Sequence, residues 1–226
     1  MERLLKWGSL VFSFITMLVM FIFNASTGYA GYDTATANNN HTGFYLGAEN
    51  GYDIPTGPDE DGYIFGFGGA LKLGYQFMRN LALELGTHAA LGSITIQGNT
   101  PSGTQTAEGS WFFFQFPFLD LKPIIPLSVR NNLYFIAGIA LSGFLNQTTN
   151  QPPTTAITST GAGYDIGMGF EGYITNHISL GGEMVYHNFT NNKFNISSGG
   201  VSENVTGPYI VNMSFTSLNF VFLYHF

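Results

Sequence analysis

The sequence predicts an all-β chain folded as an eight-stranded antiparallel transmembrane up-and-down β-barrel. Three observations predict it. First, the 226 residues include only 7 basic and 14 acidic ones, 9% of the chain, against 45% hydrophobic and 16% aromatic residues. A water-soluble domain carries roughly 25% charged residues, so this exterior is not dressed mainly for water. Second, no run of eighteen apolar residues follows Ala30, which removes the membrane helix as an option. Third, the rest of the chain breaks into segments of about ten residues with alternating apolar side chains, the signature of membrane strands. In hydrocarbon every backbone N–H and C=O must be paired within the protein, and a closed barrel is the one alternative to helices.

Composition also excludes function classes. The chain has no cysteine, so disulfides, thiolate metal sites and cysteine nucleophiles are absent. A net charge of −7 argues against a nucleic-acid partner, whose phosphates demand a basic face.

Residues 1–30 read as a cleaved signal peptide. Arg3 and Lys6 precede the apolar run Leu10–Phe23, and Gly28-Tyr29-Ala30 supplies a small-residue end. Residues 31–42 are polar and read as a periplasmic tail, which leaves 43–226 for the barrel.

The clearest hairpin comes next. Leu71, Leu73, Tyr75 and Phe77 alternate with Ala70, Lys72, Gly74 and Gln76; a turn at Met78-Arg79-Asn80 leads into Leu81, Leu83 and Leu85, which alternate with Ala82, Glu84 and Gly86. Pairing Phe77 with Leu81 sets Tyr75 opposite Leu83 and Leu73 opposite Leu85, on one greasy face. The same reading gives eight strands at about 43–52, 63–77, 81–96, 110–124, 132–145, 161–175, 178–190 and 208–226. In the fourth, Pro117 and Pro123 remove ladder donors and call for a bulge or a change of face. Longer connections (53–62, 97–109, 146–160 and 191–207) alternate with short ones, as expected of surface loops and periplasmic turns.

The final segment runs Leu218-Asn-Phe-Val-Phe-Leu-Tyr-His-Phe226, with an aromatic residue or Leu at every second position. It resembles the C-terminal strand of Gram-negative outer-membrane barrels, which the barrel assembly machinery reads; Tyr224 and Phe226 are its candidate assembly signal. Together with Gly74-Tyr-Gln-Phe-Met-Arg-Asn-Leu-Ala-Leu-Glu-Leu-Gly86 and Tyr134-Phe-Ile-Ala-Gly138, this makes residues 43–226 resemble the small OmpA/OmpX-type, opacity-like barrels. The resemblance implies an outer-membrane location, contact with outer-membrane lipids and lipopolysaccharide, and an adhesin-type contact with a host or environmental surface ligand.

An eight-stranded barrel is just wide enough for its own side chains to fill it. The alternation turns Glu49, Lys72, Glu84, Asp120, Lys122, Asp165, Glu171 and Glu183 inward, with His88 and candidates His187 and His225. That sets six carboxylates against two lysines. Glu84 falls opposite Gly74 and diagonal to Lys72, within ion-pairing reach. A three-residue turn near Asn176-His177 places Glu171 opposite Glu183, a pair that needs a proton or a cation between them.

The first long connection carries Asp53, Asp59, Glu60 and Asp61 as surface-loop acids suited to bridging cations. The cluster Trp111–Phe118 reads as an aromatic girdle. His41, His88, His177, His187 and His225 lie on separate segments, and neither a metal site nor a cofactor is expected. His177-Ile-Ser179 is similar to the His-x-Ser pair of lipid A deacylases, but it falls at the wrong end, and Asn191 stands where a carboxylate is wanted. The expected role is structural or surface-interacting, without catalysis. A narrow porin-like channel and a lipid A-modifying enzyme are the alternatives.

Overall fold

The computed structural model describes residues 42–56, 63–100, 103–148, 155–198, 201–205 and 211–226. The signal-peptide segment 1–30 and all but the last residue of the 31–42 tail lie outside them. The strands are β1 (Gly43–Pro55), β2 (Tyr63–Met78), β3 (Leu81–Thr100), β4 (Gly103–Pro126), β5 (Asn131–Thr148), β6 (Thr155–Tyr173), β7 (Ile178–Ser198), β8 (Val201–Val205) and β9 (Val211–His225). Each of the first seven pairs antiparallel with the next, and β9 pairs with both β7 and β1, which closes the wall. Eight strands form that wall. The short β8 adds only to the far end of β7, from Phe194↔Val205 to Ser198↔Val201.

Alternation decides the two faces. In β1, Tyr45, Gly47, Glu49, Gly51 and Asp53 are buried while Phe44, Leu46, Ala48, Asn50 and Tyr52 are exposed. On the outer wall Leu71, Leu91 and Ile139 are 65%, 63% and 66% exposed, which suits hydrocarbon and not water. The β2–β3 hairpin takes the expected register, with Leu73↔Leu85, Gly74↔Glu84 and Tyr75↔Leu83. Its last pair, Met78↔Leu81, follows a register shift, so the turn is the two residues Arg79 and Asn80.

Pro117 does change the face of β4. Against β3 the register jumps between Gly86↔Phe118 and His88↔Gln115, and against β5 it jumps between Gln115 and Phe118. Trp111, Phe113 and Gln115 point inward before the bulge, Phe118, Asp120 and Lys122 after it. One extra residue resets a period-2 pattern. The Thr87 hydroxyl donates to Gln115 O at 2.9 Å beside the irregularity.

Two expectations need correction. The strands are longer than the alternation suggested: β3 and β4 stay paired to Thr100↔Gly103, and β6 and β7 to Thr155↔Ser198. Much of the expected loops at 97–109, 146–160 and 191–207 is therefore hairpin, because polar Thr- and Asn-rich segments still satisfy their backbone groups best by continuing the ladder. The Trp111–Phe118 cluster is also not one girdle. Alternation sends Trp111, Phe113 and Phe118 into the core and leaves Phe112, Phe114 and Phe116 outside.

Candidate functional site

The barrel holds three stacked layers. Nearest the short turns is an ionic layer around Lys72 and Lys122, both fully inside. Lys72 Nζ donates to Glu84 Oε2 at 3.1 Å and to Glu183 Oε2 at 3.2 Å, and it is in close contact with Glu49 Oε1. Lys122 Nζ lies 3.1 Å from Glu84 Oε1 and 3.6 Å from Glu171 Oε2, and 3.9 Å above the Tyr134 ring. Two lysines thus serve four glutamates. The surplus acceptors are met by neutral donors: Tyr45 to Glu84, Tyr134 to Glu183, Asn132 and Tyr173 to Glu171, and Asn219 to Glu49. Buried charge is tolerated only with such partners.

Glycines make room for these tyrosines. A Cβ on Gly74 would collide with the Tyr45 ring, and one on Gly169 with the Tyr134 ring.

Glu171 and Glu183 are not opposite one another. Glu171 pairs with Gly181 and Glu183 with Gly169, because the turn is longer than three residues: Ile174 N–H and Thr175 N–H both reach Ile178 O. The register offset hands Glu171 to Lys122 and Glu183 to Lys72, and no cation between the two acids is required.

The second layer is built on histidine. Asp53 belongs here and not to a surface loop: it lies in β1, has no exposed surface, and follows Glu49 on the same inward face. Asp59, Glu60 and Asp61 lie outside the described residues. His88 Nε2 lies 3.1 Å from Asp53 Oδ1, and the Ser217 hydroxyl donates to that same oxygen at short range. His187 Nδ1 donates to Asp165 Oδ1 at 2.7 Å, while its Nε2 lies 2.9 Å from Ser217 Oγ. Gln115 Nε2 donates to both oxygens of Asp165, at 3.0 and 3.1 Å. The two imidazole rings are 5.3 Å apart. Asp120, between this layer and the ionic one, faces Gly138 and has a buried Oδ1 that takes no hydrogen bond.

The third layer is aromatic. Phe113 packs on Phe189 and Phe215 at 4.8 and 5.0 Å, and Trp111 on Phe215 at 5.4 Å, with the indole donating to Ile64 O at 3.1 Å. Trp111, Phe113, Phe189 and Phe215 have almost no exposed surface. They close the lumen at the end opposite the short turns.

The strand alternation had turned Glu49, Lys72, Glu84, Asp120, Lys122, Asp165, Glu171 and Glu183 inward, and all eight are buried. Sequence reasoning missed the meeting of Asp53, His88 and His187. The period-2 face of β1 that carries Glu49 also carries Asp53, which was a readable signal; the convergence of β3 and β7 was not. His177 and Ser179 are not brought together: Ser179 is buried against His225 Nε2 at 3.2 Å, while His177 is exposed at the turn. Asp165, His187 and Ser217 do align as an acid–imidazole–hydroxyl chain. The hydroxyl proton goes to Asp53, however, and the aromatic layer covers the group.

Comparison with known proteins bears on this architecture. The family model of the outer membrane protein beta-barrel domain matches residues 21–226. The chain belongs to that family. Membership places the barrel in the bacterial outer membrane. Among solved structures, the neisserial surface protein A is similar at 14% identity and a TM-score of 0.52, over 82% of this chain and 98% of that one. A major outer membrane protein of Thermus thermophilus is similar at 13% identity and a TM-score of 0.54, over 81% and 99%. OprG of Pseudomonas aeruginosa gives 14%, 0.53, 83% and 98%. These likenesses concern the fold. No curated protein matches the chain.

Proposed function

We propose that this barrel is a structural, surface-interacting outer-membrane protein of a Gram-negative cell: a plugged scaffold that carries long hairpins into the medium, without catalysis. The observation that supports this most directly is strand length. β3, β4 and β7 run for 20, 24 and 21 residues, about twice the 9–11 that cross a bilayer. The excess lies at the end away from the short turns, where the sequence is rich in Thr, Asn, Gln and Ser. A host or environmental surface ligand contacts those hairpins, and lipopolysaccharide packs around their bases.

The aromatic layer over an ion-paired interior weighs against a channel. Purified protein in planar bilayers should give no stable conductance steps, and steps would revive the porin-like reading. Cells displaying the barrel should adhere to a host or mineral surface, and replacing residues 96–107 at the β3–β4 tip with a two-residue turn should reduce adhesion with the barrel still folded. Undiminished adhesion would remove that hairpin from the proposal. Unaltered lipid A masses in cells with and without the protein are expected, since no catalysis is assigned.

A further inference from the structure

The strongest unexplained feature is the histidine layer. Asp53, His88 and His187 each offer one ligand atom, and those atoms lie within 4.8 Å of one another, all from buried side chains. They converge from three strands, β1, β3 and β7, that no local sequence motif links. Two imidazole nitrogens and a carboxylate oxygen are the donor set of a zinc-type divalent cation.

Three details favour a metal over a simple polar network. The first is the orientation of His187. Its Nδ1–H donates to Asp165 at 2.7 Å, and Gln115 holds Asp165 in turn. That hydrogen bond occupies Nδ1 and leaves Nε2, 2.9 Å from Ser217 Oγ, as the ring nitrogen that a metal would take in place of a proton, the carboxylate–histidine arrangement that supports metal ligands. The second is charge. The ion pairs of Lys72 and Lys122 all go to glutamates, so Asp53 and Asp165 have only the two histidines as cationic partners among the described residues. The third is an acceptor left unmatched in the same carboxylate: Asp53 Oδ2 is buried and takes no hydrogen bond.

The geometry points to a divalent transition-metal site inside the barrel, with Asp53, His88 and His187 as ligands, Asp165 as the positioning residue for His187, and Ser217 or water at the fourth position. Tetrahedral zinc with bonds of about 2.0–2.1 Å sets its ligand atoms roughly 3.3 Å apart. His88 Nε2 and Asp53 Oδ1 already stand at 3.1 Å. His187 has to approach them from within 4.8 Å, with the Ser217 hydroxyl giving up one of its two contacts. Such an ion ties β1, β3 and β7 together below the aromatic layer.

The test uses the full-length barrel refolded into detergent micelles with and without ZnCl2, because the aromatic layer blocks late entry. After desalting, wild type should retain one zinc per chain. With CoCl2 in its place it should show the ligand-field bands of a tetrahedral nitrogen–oxygen site. His88→Gln and His187→Gln should retain none, and Asp165→Asn should bind about 10- to 100-fold more weakly; unboiled gel migration verifies that each is folded. Should the histidine variants fail to fold, the cobalt spectrum of wild type decides. No retained zinc in the wild type, an octahedral hexa-aquo cobalt spectrum, or stoichiometric zinc in both folded histidine variants would each overturn the site.

Discussion

Tyr45 and Glu84 are joined by a 2.6 Å hydrogen bond, Tyr45 donating to Oε1, although they stand on β1 and β3 with β2 between them. The contact reaches past Gly74, the β2 residue whose missing side chain leaves space for the ring. Glu84 is also the carboxylate shared by Lys72 and Lys122, so one side chain links four strands of the wall through the lumen.

Neutralising that centre should be costly. Glu84→Gln removes the one carboxylate that both buried lysines share, leaving Lys122 with Glu171 alone, and should lower stability by about 3 kcal/mol. Tyr45→Phe removes one neutral donor and should cost about 1 kcal/mol. Reversible urea unfolding in lipid vesicles measures both, and equal losses would show that Glu84 is not the ionic hub.

The glycine–tyrosine contacts predict non-additivity. Gly169→Ala should destabilise by about 1–3 kcal/mol through overpacking against Tyr134. With Tyr134→Val in the same chain, most of that penalty should vanish, because the obstructing ring is gone. A double-mutant cycle with no coupling energy would mean that the ring does not occupy the space over Gly169.

The outer wall answers to lipid. Ile139→Arg, on β5 between Leu119 and Tyr164, should cost about 2–4 kcal/mol in vesicles if it lies near the bilayer midplane. The same substitution on a water-facing barrel would be close to neutral. Vesicle refolding yield and urea midpoints distinguish the two.

The terminal aromatic residue separates assembly from stability. Phe226 is 68% exposed, and its N–H donates to Phe44 O at 3.0 Å. Deleting it removes one edge hydrogen bond and a ring contact with Tyr224, so unaided refolding into detergent should be nearly unchanged. In cells, outer-membrane insertion should fall sharply if Tyr224 and Phe226 are read by the assembly machinery. Equal losses in both settings would assign Phe226 a purely structural role.

The wall is legible along the chain. Period-2 alternation, the dearth of charge and the bilayer's demand for paired backbone groups fixed an eight-stranded barrel, the register of the β2–β3 hairpin, the inward direction of eight charged residues, and trouble at Pro117. Those are local signals, since each depends on neighbours in one strand or across one turn. Which side chains meet across the lumen is a matter of closure and register. The length of the turn at 174–177 chose Lys122 and Lys72, not each other, for Glu171 and Glu183. The reach of β1 carried Asp53 inside. The bulge in β4 switched which face pointed inward, sending Trp111 and Phe113 over the lumen and still leaving Lys122 within it. His88 and His187 sit far apart in the chain, on β3 and β7, and strand stagger around a closed wall made them neighbours. Alternation specifies a face without specifying a height or a partner; closure of the sheet supplies both.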